Sequence, residues 1–110
     1  MKNYISLKNS KEFKNVYDKG ISYANKFLVA YVLENGTDIK RLGISVSKKV
    51  GNSIVRHRLT RLIRESFRLN KDNIKNGVDI VIIVRSSLKG KSYEEANNAF
   101  LHLCKLHGII

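Results

Sequence analysis

Residue types that would place this chain among secreted or membrane proteins are scarce. Its 110 residues contain one cysteine, Cys104, so no disulfide can form within the chain, which is typical of a reducing compartment. No apolar run approaches the roughly 20 residues that a membrane-spanning helix needs. Residues 1–13 have no apolar core and therefore predict no secretory signal. We expect a cytoplasmic protein.

Proline is absent, and neither internal repeats nor low-complexity segments interrupt the chain. The sequence therefore offers no candidate linker, and a chain of this length suffices for one modest core but not for two. With 43% hydrophobic residues, the composition is that of a globular protein. We predict a single domain over residues 1–110.

Acidic residues are few in comparison with basic ones. Nine Asp and Glu stand against 21 Lys and Arg, giving a net charge of +12 and an isoelectric point near 10.0. This balance predicts a polyanionic partner, either nucleic acid or an anionic membrane surface. The acids are scattered, without the carboxylate cluster of a two-metal nuclease. No Ser-His-Asp or Cys-His arrangement stands out either, so we predict no catalytic residue in this chain.

Three residues near the end of the chain, His102, Cys104 and His107, have a spacing that can indicate a metal site. On a helix, only Cys104 and His107 would lie near each other, and no fourth ligand is evident. We therefore predict surface histidines and a packed thiol, with no metal bound by the protein itself.

Half of the net charge lies in residues 48–68, KKVGNSIVRHRLTRLIRESFR. Seven residues of this run are basic and Glu65 is its one acid, so it carries a net charge of 7 − 1 = +6. Asn52 and Ser53 form a strong N-cap signal, and the residues after them predict an amphipathic helix. Its apolar stripe consists of Val55, Leu59, Leu62, Ile63 and Phe67. Its opposite face carries His57, Arg61, Arg64 and Arg68, with Arg56 and Arg58 on the two flanks.

The charge pattern of this helix differs from that of an ordinary solvated face, which mixes the two signs at i,i+4 spacing. Here Glu65 is the single acid among five arginines, so the cations repel one another unless an anion is bound. The guanidinium group also suits two-pronged contact with phosphate better than an ammonium group does. We interpret this face as a binding surface for a polyanion.

The remaining periodicities predict an α+β sandwich in the order helix-strand-strand-strand-helix-strand-helix, while residues 1–8 carry no periodic signal. We expect the strand of residues 40–47 to pair antiparallel to that of residues 27–33. The other predicted strands cover residues 21–24 and 78–84. The helices are predicted to be capped at Asn9 or Ser10, at Asn52 or Ser53, and at Ser92. The apolar stripe of the last helix consists of Tyr93, Ala96, Phe100, Leu103 and Leu106.

The run from Lys49 to Glu65, KVGNSIVRHRLTRLIRE, resembles the signature of the bacterial ribonuclease P protein subunit, and the resemblance covers nearly the whole chain. That signature has a lysine, a glycine and an asparagine, then an Arg-Asn-Arg core, then regularly spaced Lys or Arg on a helix. His57 departs from it, because the family usually has asparagine there. The resemblance implies a left-handed crossover through the basic helix, whereas the general rule for parallel neighbouring strands favours a right-handed one.

The resemblance also implies a function. The chain would be the protein subunit of a ribonucleoprotein endoribonuclease, whose RNA subunit holds the catalytic magnesium ions and removes the 5′ leader of precursor tRNA. Its partners would be the ribonuclease P catalytic RNA and precursor tRNA, with no membrane and no small-molecule substrate. The residues that the resemblance assigns to the catalytic RNA are Lys48, Lys49, Asn52, Arg56, His57, Arg58, Arg61, Arg64 and Arg68. Those that it assigns to the 5′ leader are Phe13, Tyr17, Val29 and Tyr31.

Two other interpretations stay open for the sequence alone. One is a different RNA-binding module, such as a ribosomal-type protein that docks a basic helix on RNA phosphates. The other is an interaction protein of anionic membranes, although the apolar face of the basic helix would then have to insert and is needed for the core. For Phe13 and Tyr17, periodicity alone favours plain core packing.

Overall fold

Five strands form one mixed sheet in the computed structural model, which describes residues 4–110 apart from the side chain of Tyr4. The strands are β1 (Tyr4–Ser6), β2 (Ile21–Ala24), β3 (Leu28–Glu34), β4 (Lys40–Ser45) and β5 (Val78–Val84). The helices are α1 (Ser10–Lys19), α2 (Ser53–Asn70) and α3 (Tyr93–Leu106), and 3-10 turns cover Lys71–Asn73 and Ser86–Leu88. The predicted α+β class and element order are confirmed. Strand β1 was not predicted, because three residues are too few to show a period of two.

The sheet has the strand order β1-β4-β5-β3-β2, so the expected antiparallel pairing of β3 with β4 is wrong. Strand β5 lies between them, antiparallel to β3 and parallel to β4. Its sequence, VDIVIIV, is almost wholly apolar, and six of its seven residues are buried. A strand that is apolar on both faces is most stable at the centre of a sheet, where both faces are covered.

Helices cover the two faces of the sheet unequally. On one face, α2 and α3 bury the main core, which includes Leu28, Ile80, Leu59 and Phe100. On the other face, α1 packs over a small cluster around Val16 and Val81. The molecule is therefore a three-layer sandwich, with α1 on one side of the sheet and α2 with α3 on the other.

Helix ends follow the predicted caps. Asn9 and Ser92 each form a capping box, with Glu12 and Glu95 respectively. Helix α1 ends at Gly20, whose N–H donates to the carbonyl oxygen of Val16. A Cβ at Gly20 would lie 2.6 Å from that oxygen, so this close approach requires glycine.

Two residues predicted in the apolar stripe of α3 lie elsewhere. Leu106 is 46% exposed, and Tyr93 is only half-buried. Ala99 and Cys104 are buried in addition to the predicted Ala96, Phe100 and Leu103, because the stripe turns gradually around the helix.

Helix α2 joins the parallel neighbours β4 and β5. The left hand of this crossover stays a prediction. Within residues 4–110, no helix combines the length and the apolar character needed to cross a membrane.

Candidate RNA-binding surfaces

The exposed face of α2 presents its basic residues to solvent, as predicted. Leu59, Ile63 and Phe67 are fully buried on the opposite face, and the ring of Phe67 meets that of Phe100 edge-on at 6.4 Å. Packing of the apolar stripe thus fixes the orientation of the helix. The basic side chains that it leaves exposed are His57, Arg58, Arg61, Arg64 and Arg68.

The guanidinium groups of this face differ in how far the protein itself already engages them. Arg68 donates from Nε and Nη2 to the two carboxylate oxygens of Glu65, at 3.0 and 2.5 Å. This hydrogen bond holds the pKa of Glu65 below its usual range. The side chains of Arg61 and Arg64 make no hydrogen bond or ion pair with the described part of the chain. Their charges are therefore the most available for a ligand.

The flanking arginines are each tied to a backbone carbonyl. Arg56 is half-buried and donates from Nε to Gly51 at 3.2 Å. Arg58 donates from Nη2 to Lys91 at 2.8 Å, which links α2 to the segment that precedes α3. A guanidinium group has five N–H donors, so both side chains keep donors for a phosphate.

The turn before α2 brings three further predicted residues to the start of this helix. Lys48, Lys49 and Asn52 are all exposed. Asn52 caps the helix, and its side-chain oxygen accepts from the N–H of Val55 at 3.0 Å. Its amide NH₂ group remains available for RNA, and Asn52 has a structural role that the resemblance alone did not indicate.

On the other side of the sheet, the predicted aromatic residues come together. The rings of Phe13 and Tyr17 on α1 lie 6.3 Å apart, and Tyr17 meets Tyr31 of β3 edge-on at 5.0 Å. All three are half-buried, as is Val29, two residues before Tyr31 on the same strand face. The alternative of plain core packing is therefore only half correct, because each ring packs against its neighbours and still keeps part of its surface exposed.

Small residues on β4 make room for these rings. A Cβ at Gly43 would lie 2.6 Å from Cζ of Phe13, so the ring rests directly on the strand backbone. Burial raises the pKa of Tyr17, and a hydrogen bond with Ser45 acts in the opposite direction. The phenol therefore stays neutral at physiological pH. The rings of Phe13, Tyr17 and Tyr31 with Val29, called the aromatic cleft below, thus form an uncharged surface.

An ion network fixes α1 on the sheet. Arg41 donates from Nε and Nη2 to both carboxylate oxygens of Asp79, at 2.7 and 2.6 Å, and from Nη1 to Glu12 at 3.2 Å. Asp79 is 1% exposed and also accepts from Asn35 at 2.9 Å. The pKa of Glu12 is lowered, and the main cause is the hydrogen bond that its carboxylate accepts from the backbone N–H of Lys8.

Sequence reasoning missed this network, although it left a signal. Asp79 is a lone acid inside the buried strand VDIVIIV, and a buried carboxylate requires a cation and hydrogen bonds. Arg41 could not be identified as its partner, because the two residues meet only through the pairing of β4 with β5.

Residues weighed as metal ligands have other partners. His107 is half-buried, not at the surface as predicted; its Nε2 lies 2.8 Å from the carbonyl oxygen of Ala30. Burial lowers the pKa of His107, and it raises the pKa of Cys104 to about 12. The exposed His102 contacts Asn25 at 3.1 Å. Within residues 4–110, no group of three or more His, Cys, Asp or Glu side chains could hold a metal ion.

A cationic helix on one side of a sheet and an open aromatic cleft on the other define an RNA-binding α+β protein. The family model described as Ribonuclease P matches residues 1–107. The chain belongs to this family, and its role is that of the protein component of ribonuclease P.

Similar proteins support this assignment over most of the chain. The ribonuclease P protein component of Lachnoclostridium phytofermentans is 62% identical over 105 residues, covering 96% of this chain and 90% of that protein. The solved ribonuclease P protein of Staphylococcus aureus is 37% identical with a TM-score of 0.88, covering 94% of this chain and 95% of the other. The solved ribonuclease P protein of Thermotoga maritima is 34% identical with a TM-score of 0.85, covering 92% of this chain and 96% of the other. These findings favour the ribonuclease P interpretation over another RNA-binding module.

Proposed function

We propose that this chain binds two RNAs through surfaces on opposite sides of its sheet. The exposed face of α2 binds the catalytic RNA of ribonuclease P, and the aromatic cleft binds the single-stranded 5′ leader of precursor tRNA. The observation that carries the proposal is the contrast between unpaired guanidinium groups on α2 and half-open rings between α1 and β3.

Binding of the catalytic RNA rests on charge. Arg61 and Arg64 project from a helix whose position is fixed by its buried stripe, so the backbone that carries them needs no ordering when they contact phosphates. Each phosphate that is neutralised releases condensed counterions, which makes binding strong at low salt and weak at high salt. The neighbouring Lys48 and Lys49 extend this surface beyond the start of the helix.

Binding of the leader rests on stacking. Every base has a π-face, so the rings of Phe13, Tyr17 and Tyr31 accept unpaired bases with little regard to sequence, each stack contributing about 1–3 kcal/mol. Val29 adds an apolar contact on the same strand face. Such a cleft suits an enzyme whose substrates carry many different leaders.

We place the catalytic centre and its magnesium ions in the RNA subunit. The side chains gathered on the two surfaces of this chain are cations and aromatic rings, which bind and position RNA. We also propose that the complex acts in the cytoplasm, in keeping with the single buried thiol of Cys104.

The proposal is tested by reconstitution. Protein freed of RNA, a ribonuclease P RNA transcript and a labelled precursor tRNA are combined singly and together at low magnesium concentration. We expect cleavage to rise strongly when the protein is added to the RNA, and none with the protein alone. Robust magnesium-dependent cleavage by the RNA-free protein would place the catalytic centre in this chain and contradict the proposal.

A further inference from the structure

A cavity of about 440 Å³ opens where the start of α3 meets the basic face of α2. It is lined by Arg58, Arg61, Leu62, Glu65 and Tyr93. Tyr93 is the residue that the sequence assigned to the core, yet the structure leaves its ring half-open at this cavity. An aromatic ring beside two guanidinium groups is a chemistry that the basic helix does not have by itself.

The backbone around Tyr93 is held in place. Tyr93 is the first residue of α3, directly after the cap Ser92, whose side chain accepts from the N–H of Glu95 at 3.2 Å. The hydrogen bond from Arg58 to Lys91 ties the same segment to α2 at 2.8 Å. The ring and the guanidinium groups therefore belong to two elements whose relative position is fixed before any ligand binds.

A second cavity of about 600 Å³ adjoins the first and shares Arg58 and Arg61 with it. It runs toward the start of α2, where His57 and the 79% exposed Ile54 complete its lining. The open surface thus continues along the helix on both sides of the two arginines. A nucleic acid strand that follows α2 would pass the ring of Tyr93.

Charge in the first cavity favours an anion despite the presence of one acid. Glu65 already receives two hydrogen bonds from Arg68, so its carboxylate is compensated within the helix. Arg61 is without a protein partner among the described residues, and Arg58 uses one of its donors. The cavity therefore combines an apolar wall, an aromatic face and two available cations.

We propose that this cavity binds an unpaired nucleotide of the catalytic RNA, whose base stacks on Tyr93 while adjoining phosphates contact Arg58 and Arg61. The inference rests on the proposed function of the α2 face and adds to it a contact that is not electrostatic. A base inside a duplex is covered by its neighbours, so stacking on Tyr93 requires a loop, a bulge or a strand end. This face of α2 would then discriminate single-stranded from helical RNA.

The test measures binding of a ribonuclease P RNA transcript to the full chain at several monovalent salt concentrations. Tyr93→Ala and Tyr93→Leu remove the aromatic face, and we expect each to weaken binding about five-fold to 150-fold, the range of one base stack. Tyr93→Phe keeps the face and should bind like the original protein. The slope of log affinity against log salt should stay unchanged in all three, because tyrosine carries no charge.

Control variants separate the possible failures. Tyr23→Ala removes a 43% exposed tyrosine on the edge strand β2 and should leave affinity unchanged, and urea unfolding verifies that every variant is folded. This inference would be overturned if Tyr93→Ala and Tyr93→Leu folded and bound the transcript with normal affinity. It would also be overturned if Tyr93→Phe lost as much affinity as they do. Either result would leave the proposed role of the α2 surface intact. If the original protein did not bind the transcript, or if Arg61→Ala and Arg64→Ala both kept the original affinity and slope, the proposed function would be overturned instead.

Discussion

The two sides of the sheet present their functional groups in opposite ways. On the α1 side, rings of Phe13, Tyr17 and Tyr31 contact one another, and an ion network anchors the helix that carries two of them. On the α2 side, the side chains of Arg61 and Arg64 make no hydrogen bond or ion pair with the described residues, and a separate apolar stripe holds the helix. Binding and stability are therefore coupled on the α1 side, whereas for Arg61 and Arg64 they are separable on the α2 side.

The largest expected effect comes from breaking the ion network. Arg41→Ala leaves the carboxylate of Asp79 almost fully buried, with Asn35 as its remaining described side-chain partner. An uncompensated buried charge of this kind costs about 3–5 kcal/mol, so we expect a loss of that order in the free energy of unfolding. Urea unfolding measures it. Lys75→Ala, which removes the exposed pair with Glu34, is the matched control and should change little.

A smaller effect on both stability and binding is expected for the cleft. Tyr17→Ala should weaken binding of leader-bearing precursor tRNA by about 1–3 kcal/mol while leaving mature tRNA binding unchanged. Because the ring is half-buried, the free energy of unfolding should fall by less than the roughly 3 kcal/mol typical of a fully buried aromatic ring. Tyr17→Phe keeps the ring and removes only the hydrogen bond with Ser45. Equal weakening for substrates with and without a leader would argue against a leader site.

On the α2 side, we expect substitutions to weaken RNA binding without changing the free energy of unfolding. Arg61→Ala or Arg64→Ala should weaken binding to the catalytic RNA, and each lost phosphate contact should reduce the log–log salt slope by about 0.7–0.9. The unfolding curve should change little, because both side chains are exposed and neither makes a hydrogen bond or ion pair with the described residues. A shifted unfolding midpoint, or an unaltered slope in both variants, would show that this face is not the separable surface described above.

The smallest effect concerns His107, which directly follows α3 and whose burial couples its protonation to stability. Burial lowers the pKa of His107 in the folded protein below its ordinary value of 6.5. The unfolded chain therefore binds a proton at a higher pH, and stability should decline as the pH falls from about 6.5 toward the folded pKa. His107→Gln should remove this part of the pH dependence of unfolding. If the free energy of unfolding changed with pH equally in the original protein and in His107→Gln below pH 6.5, protonation of His107 would not be coupled to stability.

Local chemistry made much of the fold predictable from the sequence. Capping at Asn9, Asn52 and Ser92 and the apolar run of β5 depend on residues within a few positions of each other, and all were confirmed. The place of β5 between β3 and β4 was not predicted. Strands that follow one another in the sequence usually pair, and only the tertiary packing of the whole chain separates β3 from β4 here.

For the candidate site too, features within one element could be predicted, whereas contacts between distant elements could not. The basic face of α2 could be predicted because its residues share one helix, and the resemblance supplied the aromatic residues of the cleft. Arg41 and Asp79 lie 38 positions apart and meet only across two strands. Tyr93 has helical spacing with the core residues of α3, so only the position of α2 beside it shows that its ring stays open.

The central position of β5 also has a consequence for how the molecule is made. Ribosomes deliver the N-terminal part of a chain first, and β5 is formed by residues 78–84, after both strands that flank it. Until it emerges, β3 and β4 have no common neighbour, and the apolar stripe of α2 has no completed surface to cover. Completion of the sheet therefore waits for residues 78–84, and a nascent chain exposes its cationic segment before it has a core.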